Sequence, residues 1–404
     1  MRLLLIADTY VPVRISGALQ MRDLARELLA QGHEPTVVTP ASDVGAAWQL
    51  ERLDGVEVLR VRAPRTKDVW LVQRAIAECL LPFIMLRALR NSPVGVKNWG
   101  GVVWYSPTIF FGPLVKALKT WSKCPAYLIV RDLFPDWAVD AGVMRKGVPY
   151  RFFKWVERYQ YGVADVIGVQ TPANAPLVAA DSRQGSARIE VLHNWLAAPV
   201  RKECDVDLSH GPLAGRTIFV YAGNMGTAQG MDALLDVAAR MQTRDDVGFL
   251  FVGRGSDVPR LRALAKELGL RNVLFMDEVD SAQIPGLLAQ CHVGLIALDP
   301  RHNTHNIPGK FLTYLRAGMP VLARINPGND LQAIIDEENV GYAVAGDPIV
   351  ALHAYAEQLA SDPELRARMA TNGLVLAERM FSPTSAARQV VAGLAKSDLR
   401  APAA

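Results

Sequence analysis

Short apolar runs alternate with longer segments of helical periodicity along this chain, and the alternation starts twice. Strands of a parallel sheet are buried on both faces and are joined through helices, so this alternation is typical of βαβ units. The first series of predicted strands comprises residues 3–7, 35–39, 56–61, 102–105, 127–130, 166–170 and 189–192. The second comprises residues 217–222, 247–252, 273–276, 293–297 and 321–323. The chain is therefore predicted to be an α/β protein.

The two series are separated by a polar segment, residues 197–215, which contains Pro199, Gly211 and Pro212. Proline and glycine interrupt regular structure, so this segment is the predicted linker. A chain of 404 residues is also too long for one hydrophobic core. We expect two doubly wound, Rossmann-like domains over residues 1–196 and 216–380, with ligands at the carboxyl ends of the strands. Residues 381–397 are predicted to form a last helix that returns to the first domain.

The composition, 50% hydrophobic and 21% charged, is typical of a packed enzyme and excludes disordered, collagen-like and disulfide-framework proteins. The cysteines follow no C-x-x-C spacing, so neither a zinc site nor a redox dithiol is predicted. The first apolar run ends at Asp8, which is too short for a signal peptide, and no stretch is long enough to span a bilayer. We therefore expect a cytoplasmic chain.

Charge is distributed unevenly between the two halves. Residues 1–200 contain 24 Lys and Arg against 17 Asp and Glu, whereas residues 201–404 contain 20 against 23. A basic first half indicates an anionic partner, such as a membrane surface, phosphate or nucleic acid, unless it is a sampling difference. The basic residues are dispersed and no recognition module is visible, so nucleic acid is not a predicted partner.

Two glycine-rich turns follow predicted strands of the second half. The first, residues 223–230, includes Gly223 and Gly226, and glycine lets a backbone approach a ligand closely and offer N–H groups to an anion. Its spacing matches neither the dinucleotide fingerprint nor a P-loop, and a tight structural turn is the alternative. In the second turn, Gly253-Arg254-Gly255, Arg254 is a candidate diphosphate ligand, with a solvated surface arginine as the alternative.

A polar, histidine-containing loop in residues 301–307 leads to Pro308, and proline is favoured at the start of a helix. The free N–H groups of that helix start, together with Lys310, are a candidate anion site. Thr313 and Tyr314 lie one turn further along. A metal role for the loop histidines is not favoured, because no carboxylate or third imidazole is spaced to join them.

Further motifs occur in both halves of the chain. Those of the first half are Tyr10-x-Pro12, Ser16-Gly17-Ala18, Gly32-His33-Glu34-x-Thr36-Val37 and Arg131-Asp132-Leu133-Phe134-Pro135-Asp136. Those of the second are Gly223-Asn224-x-Gly226 with Gln229-Gly230, Val252-Gly253-x-Gly255, and Ile307-Pro308-Gly309-Lys310 with Tyr314-Leu315-x-Ala317-Gly318-x-Pro320-Val321. With these motifs the chain resembles the GT-B glycosyltransferases of family 4, and specifically the O-antigen and capsule branch that includes N-acetyl-L-fucosamine transferases.

The resemblance implies the GT-B fold, in which two Rossmann-like domains face each other across a cleft. It implies transfer of a sugar from a UDP-sugar to an acceptor, with retention at the anomeric carbon and no required metal or other cofactor. The donor is expected on the second domain and the acceptor on the first. Without a metal, helix N-termini, backbone N–H groups and cations must stabilise the departing diphosphate.

The same resemblance assigns roles to individual residues. It implies Asp132, His305 and Lys310 as catalytic residues, and Arg131 and Asp132 as acceptor-binding residues. Arg14, beside the Ser16-Gly17 turn, is a further candidate cation for the acceptor, and a plain βα turn is the alternative for that loop. Asp132 would orient or deprotonate the acceptor hydroxyl, unless it forms a structural ion-pair network with Arg131 and Asp136. The donor-binding residues are expected to be Ser16, Gly17, Gly223, Asn224, Gly226, Gln229, Arg254, Ile307, Pro308, Gly309, Lys310, Thr313 and Tyr314.

Four of these positions depart from the family pattern. Asn224 and Gln229 stand where typical members carry an Arg and a Lys, and His305 and Thr313 stand where many carry two glutamates. The second glutamate usually holds the ribose hydroxyls, for which Thr313 offers at most one weaker contact. We expect Lys310 to take over neutralisation of the phosphates.

Residues 70–90 and 109–123 mix apolar and basic side chains, as interfacial membrane helices do, although both helices alternatively pack on their own sheet. With the resemblance, they favour a retaining transferase that moves an N-acetylated sugar to a lipid-linked saccharide acceptor. Its expected place is the inner face of the cytoplasmic membrane, in bacterial O-antigen, capsule or lipopolysaccharide biosynthesis. The alternatives are a GT-B-type UDP-sugar epimerase, whose typical catalytic acids are not recognisable here, and a non-catalytic sugar-nucleotide-binding protein.

Overall fold

The computed structural model describes residues 1–13, 15–66, 69–140, 142–182, 187–199, 204–301, 306–346 and 349–398. The chain divides into two units. The first comprises Met1–Trp195 together with the segment that begins at Pro383, and the second comprises Leu196–Ser382. Predicted positions 14 and 302–305, and therefore Arg14 and His305, lie outside the described residues.

The first unit contains an eight-stranded sheet in the order β3-β4-β2-β1-β5-β6-β7-β8, parallel except for the antiparallel pair of β3 and β4. Its strands are β1 (Arg2–Ile6), β2 (Glu34–Ala41), β3 (Trp48–Leu53), β4 (Val56–Arg62), β5 (Gly101–Ser106), β6 (Ala126–Val130), β7 (Val166–Val169) and β8 (Arg188–Val191). Its helices are α1 (Ser16–Ala30), α2 (Leu71–Arg90), α3 (Gly112–Ser122), α4 (Asp136–Asp140), α5 (Val148–Val163), α6 (Asn174–Asp181) and α14 (Pro383–Asp398).

The second unit contains a six-stranded parallel sheet in the order β11-β10-β9-β12-β13-β14. Its strands are β9 (Thr217–Ala222), β10 (Val247–Val252), β11 (Val273–Met276), β12 (Val293–Ala297), β13 (Val321–Ile325) and β14 (Gly341–Ala345). Its helices are α7 (Asp232–Arg240), α8 (Val258–Glu267), α9 (Ile284–Leu288), α10 (Gly309–Arg316), α11 (Leu331–Glu338), α12 (Ile349–Ser361) and α13 (Pro363–Phe381). Every residue of β10 is buried, as expected for a strand covered by helices on both faces.

The strand order reverses at one place in each sheet. In the first unit β1 lies between β2 and β5, and in the second β9 lies between β10 and β12. At such a reversal, the loops that follow the carboxyl ends of the two strands run to opposite sides of the sheet. The space between these loops is a crevice that can hold a ligand. The loops after β1 and β5 in the first unit, and those after β9 and β12 in the second, are therefore the places where the fold itself positions a site.

The predicted linker packs onto the second unit. Leu208 and Leu213 are buried in the core of that unit, and the backbone N–H of Leu208 donates to Gln290 Oε1 at 2.8 Å. The prolines and glycine suggested a free connection, but these two leucines provide apolar surface that must be buried. The change of unit falls between Trp195 and Leu196.

Helix α14 completes the core of the first unit. It packs against α1, and its Val390 and Leu394 are fully buried. Gln389 Nε2 donates to the backbone oxygen of Val191, the last residue of β8, at 2.7 Å. The segment from Pro383 onward is therefore structurally part of the half that begins the chain.

No helix among the described residues is both long and apolar enough to cross a lipid bilayer.

Candidate active site

The two glycine-rich turns of the second unit pack backbone against backbone. A Cβ on Gly253 would lie 2.1 Å from the carbonyl oxygen of Gly223, and a Cβ on Gly255 would lie 2.1 Å from that of Met225. Gly253 also has φ +139°, which L side chains rarely adopt. The backbone N–H of Gly223 donates to the oxygen of Val252 at 2.9 Å. Gly253 and Gly255 are thus required by loop packing, and the two turns form one continuous surface.

Gln229 closes the first turn from within. The backbone N–H of Gly226 donates to Gln229 Oε1 at 2.8 Å, and Asn224 Nδ2 lies 3.4 Å from the same oxygen. The prediction that the Gly226 N–H is free for a diphosphate is therefore wrong for this conformation, because the glutamine side chain already occupies that donor. Asn224 itself is exposed beside the cavity described below.

Lys310 lies in the first turn of α10. This helix begins directly after Pro308, whose backbone is extended. Ile307 is buried and anchors the chain just before the helix, whereas Gly309 is exposed. The Lys310 Nζ lies 4.7 Å from the centre of the Tyr221 ring, and its side chain passes beside Gly223. Among the described residues no carboxylate pairs with this ammonium. Burial lowers the pKa of Lys310 to about 8, because a desolvated ammonium is disfavoured.

The next residues of α10 have different surroundings. Tyr314 is fully buried, and its hydroxyl accepts a hydrogen bond of 3.0 Å from the backbone N–H of Ala222 at the end of β9. Burial raises the pKa of Tyr314 well above its usual value. Tyr314 was expected to bind the donor, but this contact makes it the anchor of the first turn. Thr313 is half-buried, and its Oγ1 donates to the Gly309 oxygen at 3.1 Å.

These elements enclose a cavity of about 550 Å³ in the second unit. Asn224, Lys310 and Thr313 line it. Arg254 also lines it, is mostly exposed, and places its Nε 3.2 Å from Glu278 Oε2. Glu278 was missed by the sequence analysis because it belongs to no motif. Its position two residues after β11, at the carboxyl end of a parallel strand, is the signal that could have identified it.

In the first unit, Ser16 and Gly17 begin α1. A Cβ on Gly17 would lie 3.0 Å from the Tyr105 ring, so the glycine lets the helix approach β5 closely. The Tyr105 hydroxyl donates to Gln20 Oε1 at 3.1 Å and fixes that approach. Ser16 is exposed at the helix start, where backbone N–H groups have no helical partner.

Arg131 and Asp132 follow β6 and differ sharply in their surroundings. The Arg131 guanidinium is buried, and it donates to the backbone oxygens of Leu192 at 2.6 Å and His193 at 3.3 Å. It also lies 5.0 Å from the centre of the Trp195 ring. The prediction that Arg131 binds the acceptor is therefore wrong, because the side chain ties β6 to the segment after β8.

Asp132 is exposed at the carboxyl end of β6, where a functional group of this fold is expected. The surrounding protein removes part of its water shell, which raises the pKa of Asp132, and the Arg131 guanidinium opposes that change. Burial also raises the pKa of Glu78 on α2, a residue that was not identified from the sequence. It accepts a hydrogen bond of 2.8 Å from Arg74 Nε.

Asp136 belongs to a separate ion-pair cluster. The Lys154 ammonium is buried and lies 2.5 Å from Asp136 Oδ2 and 2.7 Å from Glu157 Oε2, and it also pairs with Asp181. The Tyr150 hydroxyl donates to Asp136 at 2.7 Å. The three carboxylates are close enough together to resemble a metal site, but the lysine already occupies the position between them. Asp136 therefore has a structural role, but its partners are Lys154 and Tyr150 and not the Arg131 and Asp132 of the network considered from sequence.

The two segments considered for membrane contact also differ. Ile109, Phe110 and Phe111 are at most 5% exposed, and Leu114 and Leu118 of α3 are buried. The prediction of an apolar membrane face at residues 109–123 is therefore wrong, because these side chains pack in the core. By contrast, Ile76, Leu80 and Phe83 of α2 are exposed.

Two family models cover most of the chain. The model described as "Glycosyl transferase 4-like domain" matches residues 17–195, and the one described as "Glycosyl transferases group 1" matches residues 209–374. The chain is similar to the probable glycosyltransferase WbjE of Pseudomonas aeruginosa, at 27% identity over 57% of this chain and 59% of that protein. It is also similar to the putative colanic acid biosynthesis glycosyl transferase WcaI of Escherichia coli (strain K12), at 25% identity over 72% and 76% of the two chains. The chain thus spans less than two thirds of WbjE and about three quarters of WcaI.

Solved structures show the same fold. Sucrose-phosphate synthase from Thermosynechococcus elongatus aligns over 97% of this chain and 98% of its own, with a TM-score of 0.69 and 16% identity. Anabaena HepE, solved in complex with UDP and glucose, aligns over 98% and 100% with a TM-score of 0.64 and 15% identity. The lipopolysaccharide glycosyltransferase WaaG aligns over 99% and 100% with a TM-score of 0.62 and 17% identity.

Fold and family models together define the class: this chain has the GT-B fold and carries two glycosyltransferase domains. Its first unit carries the glycosyl transferase 4-like domain, and its second unit carries the glycosyl transferases group 1 domain with the cavity around Lys310.

Proposed function

We propose that this protein is a retaining glycosyltransferase that moves an N-acetylated sugar from a UDP-sugar to a lipid-linked saccharide in bacterial surface-polysaccharide biosynthesis. The observation that carries the proposal is Lys310, a largely desolvated ammonium that pairs with no carboxylate of the described chain and faces a cavity in the group 1 domain. A diphosphate supplies the negative charge that this ammonium lacks. The names of WbjE and WcaI support a transferase of polysaccharide biosynthesis, and the UDP complex of HepE supports the nucleotide.

In the proposed reaction, the bond between the anomeric carbon and the β-phosphate oxygen breaks, and UDP departs with the bonding electrons. The Lys310 ammonium and the N–H groups at the start of α10 stabilise the charge that develops on this oxygen. Because these groups are held in place before the reaction, they need no reorganisation during it. Such neutralisation supports the proposal that the transfer needs no metal.

The acceptor hydroxyl forms the new bond to the anomeric carbon and loses its proton. We assign this proton to Asp132, an exposed carboxylate at the carboxyl end of β6 whose pKa is raised by partial loss of its water shell. His305 remains a proposed contact of the donor sugar. Retention follows the family that the chain resembles, and so does the place at the inner membrane face, where a lipid-linked acceptor would be found.

The test is to incubate the purified protein with a panel of UDP-sugars and a lipid-diphosphate saccharide. We expect an elongated lipid product and free UDP. Lys310→Ala should lower turnover by about tenfold or more, which corresponds to ~1.4 kcal/mol of lost transition-state stabilisation. Lys266→Ala, which removes an exposed lysine from α8 of the same unit, is the matched control and should keep the wild-type rate.

Two results would contradict the proposal. An isomerised UDP-sugar formed without any acceptor would identify an epimerase instead. Equal turnover in the Lys310→Ala and Lys266→Ala variants would show that the ammonium at the cavity does not stabilise the leaving group.

A further inference from the structure

Helix α5 leaves a row of large apolar side chains exposed. Val148, Phe152 and Trp155 follow one another at about one helical turn and are 79%, 42% and 61% exposed. The Trp155 ring stacks on Tyr159, with 6.3 Å between the ring centres, so the row continues along the helix. An exposed row of this size on a helix indicates an interaction surface, because isolated exposed side chains do not line up in this way.

Helix α2, which packs against α3 as α5 does, carries a second row with the same spacing. Ile76, Leu80 and Phe83 are 56%, 49% and 60% exposed. The two helices are joined by a small apolar cluster in which Cys79 of α2 and Phe153 of α5 pack around Ile109, Phe110 and Val156. Both rows therefore belong to one layer of helices. We call the six exposed side chains Ile76, Leu80, Phe83, Val148, Phe152 and Trp155 the α2–α5 face.

A basic cavity of about 650 Å³ lies next to this face, between α3 and α5, and Tyr159 lines it. Its charged lining residues are Lys116, Lys119, Lys123, Arg158 and Asp165. Lys119 pairs with Asp165 at 2.7 Å. In the part of the chain that the structure describes, Lys116 and Lys123 pair with no carboxylate. The cavity thus combines an excess of positive charge with an aromatic wall that leads to Trp155.

We propose that the α2–α5 face and this basic cavity form a surface that docks on an anionic lipid bilayer. The aromatic and aliphatic side chains enter the bilayer at the level of the headgroups, and the lysines contact the lipid phosphates. Tryptophan and tyrosine suit this depth because one end of each ring system is apolar and the other is polar. The inference rests on the part of the proposed function that makes the acceptor a membrane lipid, and the charge complementarity selects an anionic surface.

The test is flotation of the full chain with vesicles of phosphatidylcholine alone and with vesicles that also contain phosphatidylglycerol. We expect binding to the anionic vesicles and at least tenfold weaker binding to the neutral ones, since several cations contribute. Lys116→Glu/Lys123→Glu should reduce anionic binding by about tenfold or more. Phe152→Ser/Trp155→Ser should reduce it as well. The matched controls in the second unit, Lys266→Glu and Val375→Ser, replace an exposed lysine and an exposed valine and should bind as wild type.

A spectroscopic measurement locates the contact directly. Tryptophan fluorescence should be quenched by vesicles of brominated phosphatidylglycerol, and Trp155→Phe should lose part of the quenching while it retains binding. Equal binding to neutral and anionic vesicles, or equal binding by the lysine variants and their control, would overturn the inference. The inference would also be overturned if the wild-type protein is a dimer and the Phe152→Ser/Trp155→Ser variant is a monomer, because the face would then be a subunit interface.

UDP binding to each variant, measured without vesicles, separates the two proposals. A protein that binds anionic vesicles through this face but does not bind UDP would contradict the proposed function and leave the docking surface standing. A protein that binds UDP but no vesicles would contradict the docking surface and leave the proposed function standing.

Discussion

The affinity of the cavity for UDP should depend on pH through Lys310. The pKa of this lysine is about 8, so about 90% of the side chains are charged at pH 7 and about 10% at pH 9. If the ammonium is the main partner of the diphosphate, UDP should bind about tenfold more weakly at pH 9 than at pH 7, a difference of ~1.4 kcal/mol. At pH 8, where half of the lysines are neutral, each UDP should take up about half a proton from the buffer.

Isothermal titration calorimetry in two buffers with different ionisation enthalpies measures both the affinity and the proton uptake. Lys310→Ala should bind UDP more weakly at pH 7, with no further loss toward pH 9 and no proton uptake near pH 8. Lys266→Ala should behave as wild type. The reasoning would be refuted by a wild-type affinity that is equal at pH 7 and pH 9, or by the same pH dependence in Lys310→Ala.

The same lysine affects stability with a defined sign. Its pKa in the folded protein is lowered from 10.5 to about 8, so the unfolded chain binds more protons between these values. The contribution of Lys310 to the free energy of unfolding should therefore rise as the pH increases from about 8 to about 10.5. Below pH 8 the ammonium costs about 3 kcal/mol in the free protein. Lys310→Met should remove that cost and raise the melting temperature at pH 7.

Three further substitutions test the surroundings of the two sites by thermal or chemical unfolding. Gly253→Ala should destabilise the protein by about 3 kcal/mol or more, because its Cβ would overlap the Gly223 oxygen at 2.1 Å. Tyr314→Phe should cost about 1–3 kcal/mol, since the N–H at the end of β9 loses its acceptor. Lys154→Met should cost about 3–5 kcal/mol, because it leaves three carboxylates together without their ammonium.

Each of these substitutions has a control in the same chain. Gly309→Ala adds a Cβ that meets no atom within 4 Å, and Thr313→Val removes a hydroxyl that bonds only to its own helix. Lys146→Met removes an exposed lysine next to α5. If Gly253→Ala melts at the same temperature as its control, the loop packing is contradicted. The same result for Tyr314→Phe would contradict the tyrosine anchor, and for Lys154→Met it would contradict the buried ion cluster.

Most strands could be predicted from sequence because a strand buried on both faces must be apolar throughout. Two strands were missed, β3 and β14, and each lies at an edge of its sheet. β3 shows the reason most clearly, because it is only partly buried and mixes polar with apolar residues. The glycine turns were located correctly, but their spacing did not show that Gly253 packs on Gly223, thirty positions away. Such a contact depends on how neighbouring strands end.

The candidate site was less predictable because a charged residue looks the same in sequence whether it binds a ligand or its own backbone. Arg131 and Asp132 are neighbours, yet only Asp132 is exposed, since the partners of Arg131 lie some sixty positions further along. Lys310 could be identified because a lysine at a helix start opposes the helix dipole and so indicates an anion. Glu278 belongs to no motif and could be identified only by its place just after β11, and the row on α5 has no comparable signal.

The return of α14 to the first unit has a consequence for how the protein is made. Leu394 packs against Gly101, so the half that begins the chain needs a residue that the ribosome adds after the whole second unit. The second unit is continuous and has all of its residues earlier. During synthesis the apolar surface of α1 that α14 covers therefore stays exposed until α14 has been made. Nascent chains that stop before Pro383 should be the ones that chaperones retain.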